Sequence, residues 1–236
     1  LENGLRVAFS EDRTAHTVHC GFFINAGSRD EMDQEQGLAH LIEHCLFKGT
    51  KKRKAFHILT RLDSVGGEIN AYTSKEETCI YASALKEHFG RASELLFDIV
   101  FSPNFPEKEI VKEISVVKDE INSYKDSPDE QIQDEFEERL FPNHPLGRSI
   151  LGREDILESQ NKKSIENFVD RLYSTDEIVF ACVGNVSRKQ LDKFCQLSLA
   201  TIPAKKRINS HRTSPISDQF HLTKKDSVHQ VHALLG

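Results

Sequence analysis

The sequence predicts an α+β fold, and three observations support it. Short β-rich runs separated by turn residues crowd the first third of the chain. A long region of helical periodicity follows, from about residue 86 to 140. One further strand-like run, EIVFACVG (177–184), comes much later. Meandering strands mixed with runs of helices argue against a parallel doubly wound sheet.

The elements are read in chain order. NGLRVAF (3–9) is a turn leading into a strand, and HTVHCGFFINAG (16–27) is a second, largely buried strand. Polar SRDEMDQEQ ends it. From 36 to 47, Leu38, Leu41, Ile42, Cys45 and Leu46 recur at helical spacing. AFHILTRLDSV (55–65) is another helix, stopped by Gly66 and Gly67. EINAYT (68–73) and TCIYASAL (78–85) are strands split by the charged turn SKEE. Helices are expected over 86–101 and from 106 to about 123. A third begins at SPDE, with Ser127 as N-cap, Pro128 at the first helical position and Glu130 completing a capping box. It ends at LFPNHPLG (140–147), whose prolines and glycine force a loop. Short helices are expected at 154–158 and 162–173, and Ser187 caps a last helix, 188–199. Residues 203–227 read as a linker and HQVHALLG (229–236) as a strand, so the protein is expected to continue past Gly236.

Composition narrows the classes. The chain has 236 residues, 38% hydrophobic and 29% charged, which is enough to build a core. A net charge of −6 gives no nucleic-acid footprint, so no nucleic acid is expected as a partner. The basic cluster KGTKKRK (48–54) reads as a solvated loop. No apolar run reaches the roughly eighteen residues of a membrane span, so no membrane partner is expected either. The five cysteines lack CxxC spacing and read as reduced thiols of a cytoplasmic protein. Cys45 reads as a small core residue and His144 as a loop residue.

Within GLAHLIEHCLFKGT (37–50) stands HLIEH, with His40 and His44 four positions apart. On a helix that spacing puts both imidazoles on one face, where they can share a cation. Glu43 borders that face. Two histidine ligands and a nearby carboxylate are the minimum set for metal-assisted hydrolysis. A third ligand must come from another element. Glu113 and Glu120, seven apart and so on one face of the helix over 106–123, are the candidates. One of them could bind the metal while the other holds a ligand's second nitrogen. Val116, Val117 and Ile121 are expected to bury that helix.

HLIEHCLFKGT resembles the inverted zinc motif of the pitrilysin-type (M16) peptidases, which include insulin-degrading enzyme and the mitochondrial processing peptidase. NGLRV, AGSRDE (26–31), GGEINAYTSKE (66–76), VVKDEI (116–121), DSP (126–128), HPLGRSILG (144–152) and VGNV (183–186) match the family in the same order. The resemblance implies an antiparallel sheet with helices packed on one face. It implies Zn²⁺ as cofactor, held by His40, His44 and Glu120, the last lying seventy-six residues after His44. Glu113 then supports the site and Glu43 is the general base. Asn70 and Ala71 lie on the edge strand along which an extended peptide substrate adds.

The resemblance also implies a second, homologous half. Residues 1–202 are then the zinc-binding peptidase domain, and 203–236 the linker and first strand of the next. That half, in the same chain or in a homo- or heterodimeric partner, supplies an arginine and a tyrosine to the substrate. Two other readings stand beside the zinc endopeptidase. One is a non-catalytic structural subunit, against which the intact HLIEH counts. The other is a lyase like the S-ribosylhomocysteinases, against which the long helical region after residue 86 counts.

Overall fold

The computed structural model describes residues 1–208 and 233–234. In order these form β1 (Arg6–Glu11), β2 (Thr17–Ile24), α1 (Leu38–Leu46), α2 (Ala55–Asp63), β3 (Glu68–Thr73) and β4 (Thr78–Leu85). Then come α3 (Phe89–Phe101), α4 (Glu107–Lys125), α5 (Pro128–Leu140), α6 (Glu154–Leu157), α7 (Lys162–Leu172), β5 (Ile178–Gly184) and α8 (Arg188–Leu197). The runs EINAYT and TCIYASAL are β3 and β4 to the residue. Of the linker and strand expected over 203–236, only 203–208 and 233–234 fall within the described residues.

One five-stranded sheet runs in the order β1-β5-β2-β4-β3. The expected antiparallel pairing holds from β5 through β2 and β4 to β3. The β1–β5 pair is parallel instead. These two strands are joined through the whole helical region rather than by a hairpin, and such a long crossover is what a parallel pair needs.

Strand alternation assigns the two faces. Val18, Cys20, Phe22 and Ile24 of β2 point the same way as Ile80, Ala82 and Ala84 of β4 and as Ile178, Phe180 and Cys182 of β5. All ten are buried in one core with Leu41, Leu46, Leu95, Ile99 and Phe168 from the helices. The opposite face carries Tyr72, Tyr81, Leu85 and Val183, all exposed. The helices therefore cover one face, as expected. Phe22 and Phe180 sit opposite one another in the β2–β5 register, with ring centroids 5.0 Å apart.

Two local expectations change. Ser127 is the N-cap of α5 and Pro128 its first residue, but the capping box does not form. The Ser127 hydroxyl donates to Asp129 Oδ1 at 2.5 Å and makes no cap hydrogen bond. On α4, Val116 is exposed, and Ile110, Val117 and Ile121 are the buried residues. The buried stripe follows the i, i+3/i+4, i+7 spacing of a helix, and Val116 lies off it. The box at Ser187 does form, with Gln190 as its third residue.

The cross-sheet aromatic pair is a direct test of this packing. Phe180→Ala is expected to destabilise the fold by about 3–5 kcal/mol, read as a lower urea midpoint at unchanged slope.

Candidate metal centre

The site begins where α1 begins. Gly37 precedes the helix at φ +89°, a left-handed conformation that suits glycine. The loop bearing Gly152 packs directly onto it, so closely that a Cβ on Gly152 would overlap the Gly37 nitrogen. Glu31 completes the start of the helix from outside. Its two carboxylate oxygens accept the backbone N–H groups of Gly37 (3.1 Å) and Ala39 (2.8 Å). A carboxyl group placed at a helix N-terminus satisfies donors that the helix itself leaves free. Burial pushes the Glu31 carboxyl up to about 8, against the downward pull of those two N–H groups.

α1 packs against α4 and against β3. This brings the histidines onto the acidic face of α4. His40 turns Nε2 to Glu120 Oε2 at 3.2 Å and Nδ1 to Glu43 Oε2 at 3.6 Å. His44 turns Nε2 to the same Glu120 oxygen at 3.8 Å and Nδ1 to Glu113 Oε2 at 3.2 Å. The two rings lie 4.6 Å apart, centroid to centroid. Ligand atoms of His40, His44 and Glu120 all fall within 4.8 Å of one another, and no other such group occurs among the described residues.

The donor set fits zinc. A tetrahedral ion with bonds of about 2.0–2.1 Å spaces its ligand atoms about 3.3 Å apart. Both imidazoles aim Nε2 at one carboxylate oxygen, and both Nδ1 atoms face other carboxylates. The latter arrangement fixes ring orientation in histidine metal sites. Two nitrogens and one oxygen suit a borderline cation and leave a position open.

Charge at the site follows from these contacts. Burial alone lowers the pKa of His40, but hydrogen bonds and charges from Glu43 and Glu120 outweigh it and raise it above the ordinary value. Burial raises Glu43. The neighbouring His40 ring and Thr73 hydroxyl, with the charges of His40 and His44, outweigh that and hold Glu43 below the usual carboxylate range.

The structure brings His40, Glu43, His44, Glu113 and Glu120 together. Ala71 lies on the edge strand β3, on the side facing α1, as does Thr73. Asn70 does not join them. Its side chain is on the opposite, exposed face, and its Oδ1 accepts the N–H of Ala71 at 2.8 Å. His144 is a loop residue whose Nδ1 accepts the N–H of Leu146, and Cys45 is buried in the core.

Three contributors were not singled out by sequence reasoning. Glu31 and Thr73 lie inside AGSRDE and INAYT, but nothing in those strings says which side chain reaches the helix. Lys48 belongs to the basic cluster read as a solvated loop. Lys51, Lys52 and Lys54 are indeed exposed. Lys48 Nζ instead pairs with Glu113 Oε1 at 2.8 Å, and Arg53 turns inward to Glu94 and the buried Asp98.

Residues 6–154 match the insulinase family, peptidase family M16. The chain belongs to that family. It is 36% identical over its whole length to the uncharacterized zinc protease YmxG of Bacillus subtilis, spanning 57% of that protein. It is 39% identical over 191 residues to the beta subunit of the bovine mitochondrial-processing peptidase, covering 81% of this chain and 39% of that subunit. In fold it is similar to pitrilysin, with a TM-score of 0.83 at 23% identity, over 92% of this chain and 24% of that one. The chain thus covers 57% of the first of these curated relatives and 39% of the second.

Glu31 allows a pH test of how the site is anchored. Between the ordinary carboxyl pKa of 4.5 and about 8, the folded chain holds a proton at Glu31 that the unfolded chain releases. Its contribution to stability therefore falls as the pH rises through that window. Glu31→Gln should flatten this part of the profile in urea unfolding from pH 5 to 8. An identical slope in both proteins would sink the assignment.

Proposed function

We propose that this chain is the zinc-binding half of an M16 endopeptidase that cleaves unfolded or short peptides. The observation that carries the reading is the convergence of His40 Nε2, His44 Nε2 and Glu120 Oε2, with the Glu43 carboxyl alongside His40. His40, His44 and Glu120 would hold the ion, and Glu113 would orient His44. Bound zinc lowers the pKa of water and polarises a carbonyl.

The remaining roles belong to the chain. β3 is a sheet edge, so an extended peptide can add to it through backbone hydrogen bonds, with little demand on side-chain sequence. Ala71, on the side of β3 that faces α1, sets where the scissile bond lies. Asn70 contributes through the backbone of the same edge. Glu43 takes the proton of the attacking water and delivers it to the leaving amine nitrogen. The opposite wall of the chamber is assigned to a second homologous half, carried by a longer form of this chain or by a partner subunit. The share of each relative that this chain covers leaves room for such a half.

Glu43→Gln is expected to retain stoichiometric zinc and to lower cleavage of a quenched peptide on the order of 10²–10⁴-fold, measured with the second half present. His44→Ala should lose the zinc itself. A Glu43→Gln protein that cleaves at the normal rate would overturn the assignment of the base.

A further inference from the structure

Glu113 is only 5% exposed, so its carboxylate depends on the partners the protein gives it. There are two among the described residues. Oε2 faces His44 Nδ1 at 3.2 Å, and Oε1 faces Lys48 Nζ at 2.8 Å. Each oxygen thus has one donor, and the two donors come from neighbouring turns of the same stretch of chain. Lys48 follows His44 by four residues, and its backbone N–H closes the end of α1 on Cys45 O at 3.1 Å. Its stem therefore runs alongside His44 toward α4. The side chain of Lys48 is 30% exposed, against 7% for Glu113, so the ammonium sits at the rim and the carboxylate beneath it.

We infer that Lys48 is a positioning residue for the metal site, holding the Glu113 carboxylate in the orientation that fixes the His44 ring. This rests on the zinc reading given above. A buried carboxylate with one oxygen unpaired rotates toward whatever donor or solvent it can reach. Without Lys48, Glu113 loses the contact that keeps its plane directed at His44, and the imidazole is free to turn. Removing the partner of a ligand's second nitrogen typically weakens metal affinity about 10–100-fold. Lys48 stands one contact further out and acts wholly through Glu113. Its neighbours in the basic cluster have no such role: Lys51, Lys52 and Lys54 are exposed, and Arg53 is engaged by Glu94 and Asp98.

The test measures zinc affinity of the full chain by competition with a chromophoric chelator. The thermal midpoint and far-UV circular dichroism of the metal-free proteins report on folding. Lys48→Met should weaken zinc binding about tenfold, and Lys48→Arg should stay within about threefold of the parent. In a Glu113→Ala background, Lys48→Met should change affinity by less than about twofold, because the carboxylate through which Lys48 acts is already gone. Two results overturn the inference. One is a Lys48→Met chain with parental affinity. The other is an equal loss in both backgrounds, which would make Lys48 a general charge or stability effect. The two levels separate cleanly. Zinc binding that His44→Ala abolishes but Lys48→Met leaves untouched removes only the role of Lys48. A parent chain that binds no zinc removes the metal reading and this inference together.

Discussion

The packing of α1 against α4 is the contact on which the site depends. It sets two histidines, one helical turn apart, against two glutamates, two turns apart. The histidines and Glu113 are largely withdrawn from water, and such groups are costly to bury unless they meet one another. Apolar residues on the same faces offset part of that cost. Ile110, Val117 and Ile121 on α4, with Leu41, Ile42 and Cys45 on α1, belong to one continuous core. The polar cluster therefore has rigid walls. Removing one member of such a pairing strands the others, with a cost of about 3–5 kcal/mol for a buried charge left alone.

The rest of the domain holds α1 in register with that partner. Glu31 and the Gly37–Gly152 approach fix its N-terminal end. The sheet fixes its flank, with β3 placed at an edge and its inward residues directed at the helix. Arg207 ties the chain after α8 to the loop before α1 through an ion pair of 2.7 Å with the buried Asp30. The start of α1 is thus anchored from several parts of the chain.

Much of this was legible in the sequence, for physical reasons. β3 and β4 stand out because strand formers are bounded by glycines and a charged turn. α1 stands out because its apolar residues keep helical spacing through HLIEH. Periodicity also put Glu113 and Glu120 on one face, but it could not separate their roles. Their geometry differs: a single Glu120 oxygen faces both imidazoles, whereas of the two rings Glu113 meets only that of His44. The parallel β1–β5 pair was not legible, since it joins segments more than 150 residues apart and no local signal marks such pairing. Nor was Lys48, because nothing in a run of basic residues says which one turns inward. At Ser127 the motif was legible but the capping box does not form, and the hydroxyl meets Asp129.

The central claim is that two imidazoles and one carboxylate, all from α1 and α4, hold the ion. X-ray absorption at the zinc edge of the loaded chain tests it most directly. The account predicts two imidazole nitrogens and oxygen ligands at about 2.0–2.2 Å, with no sulfur. Cys45 lies next to His44 in sequence and is the nearest rival ligand. A zinc–sulfur distance of about 2.3 Å, or a spectrum with one imidazole or none, would contradict the account.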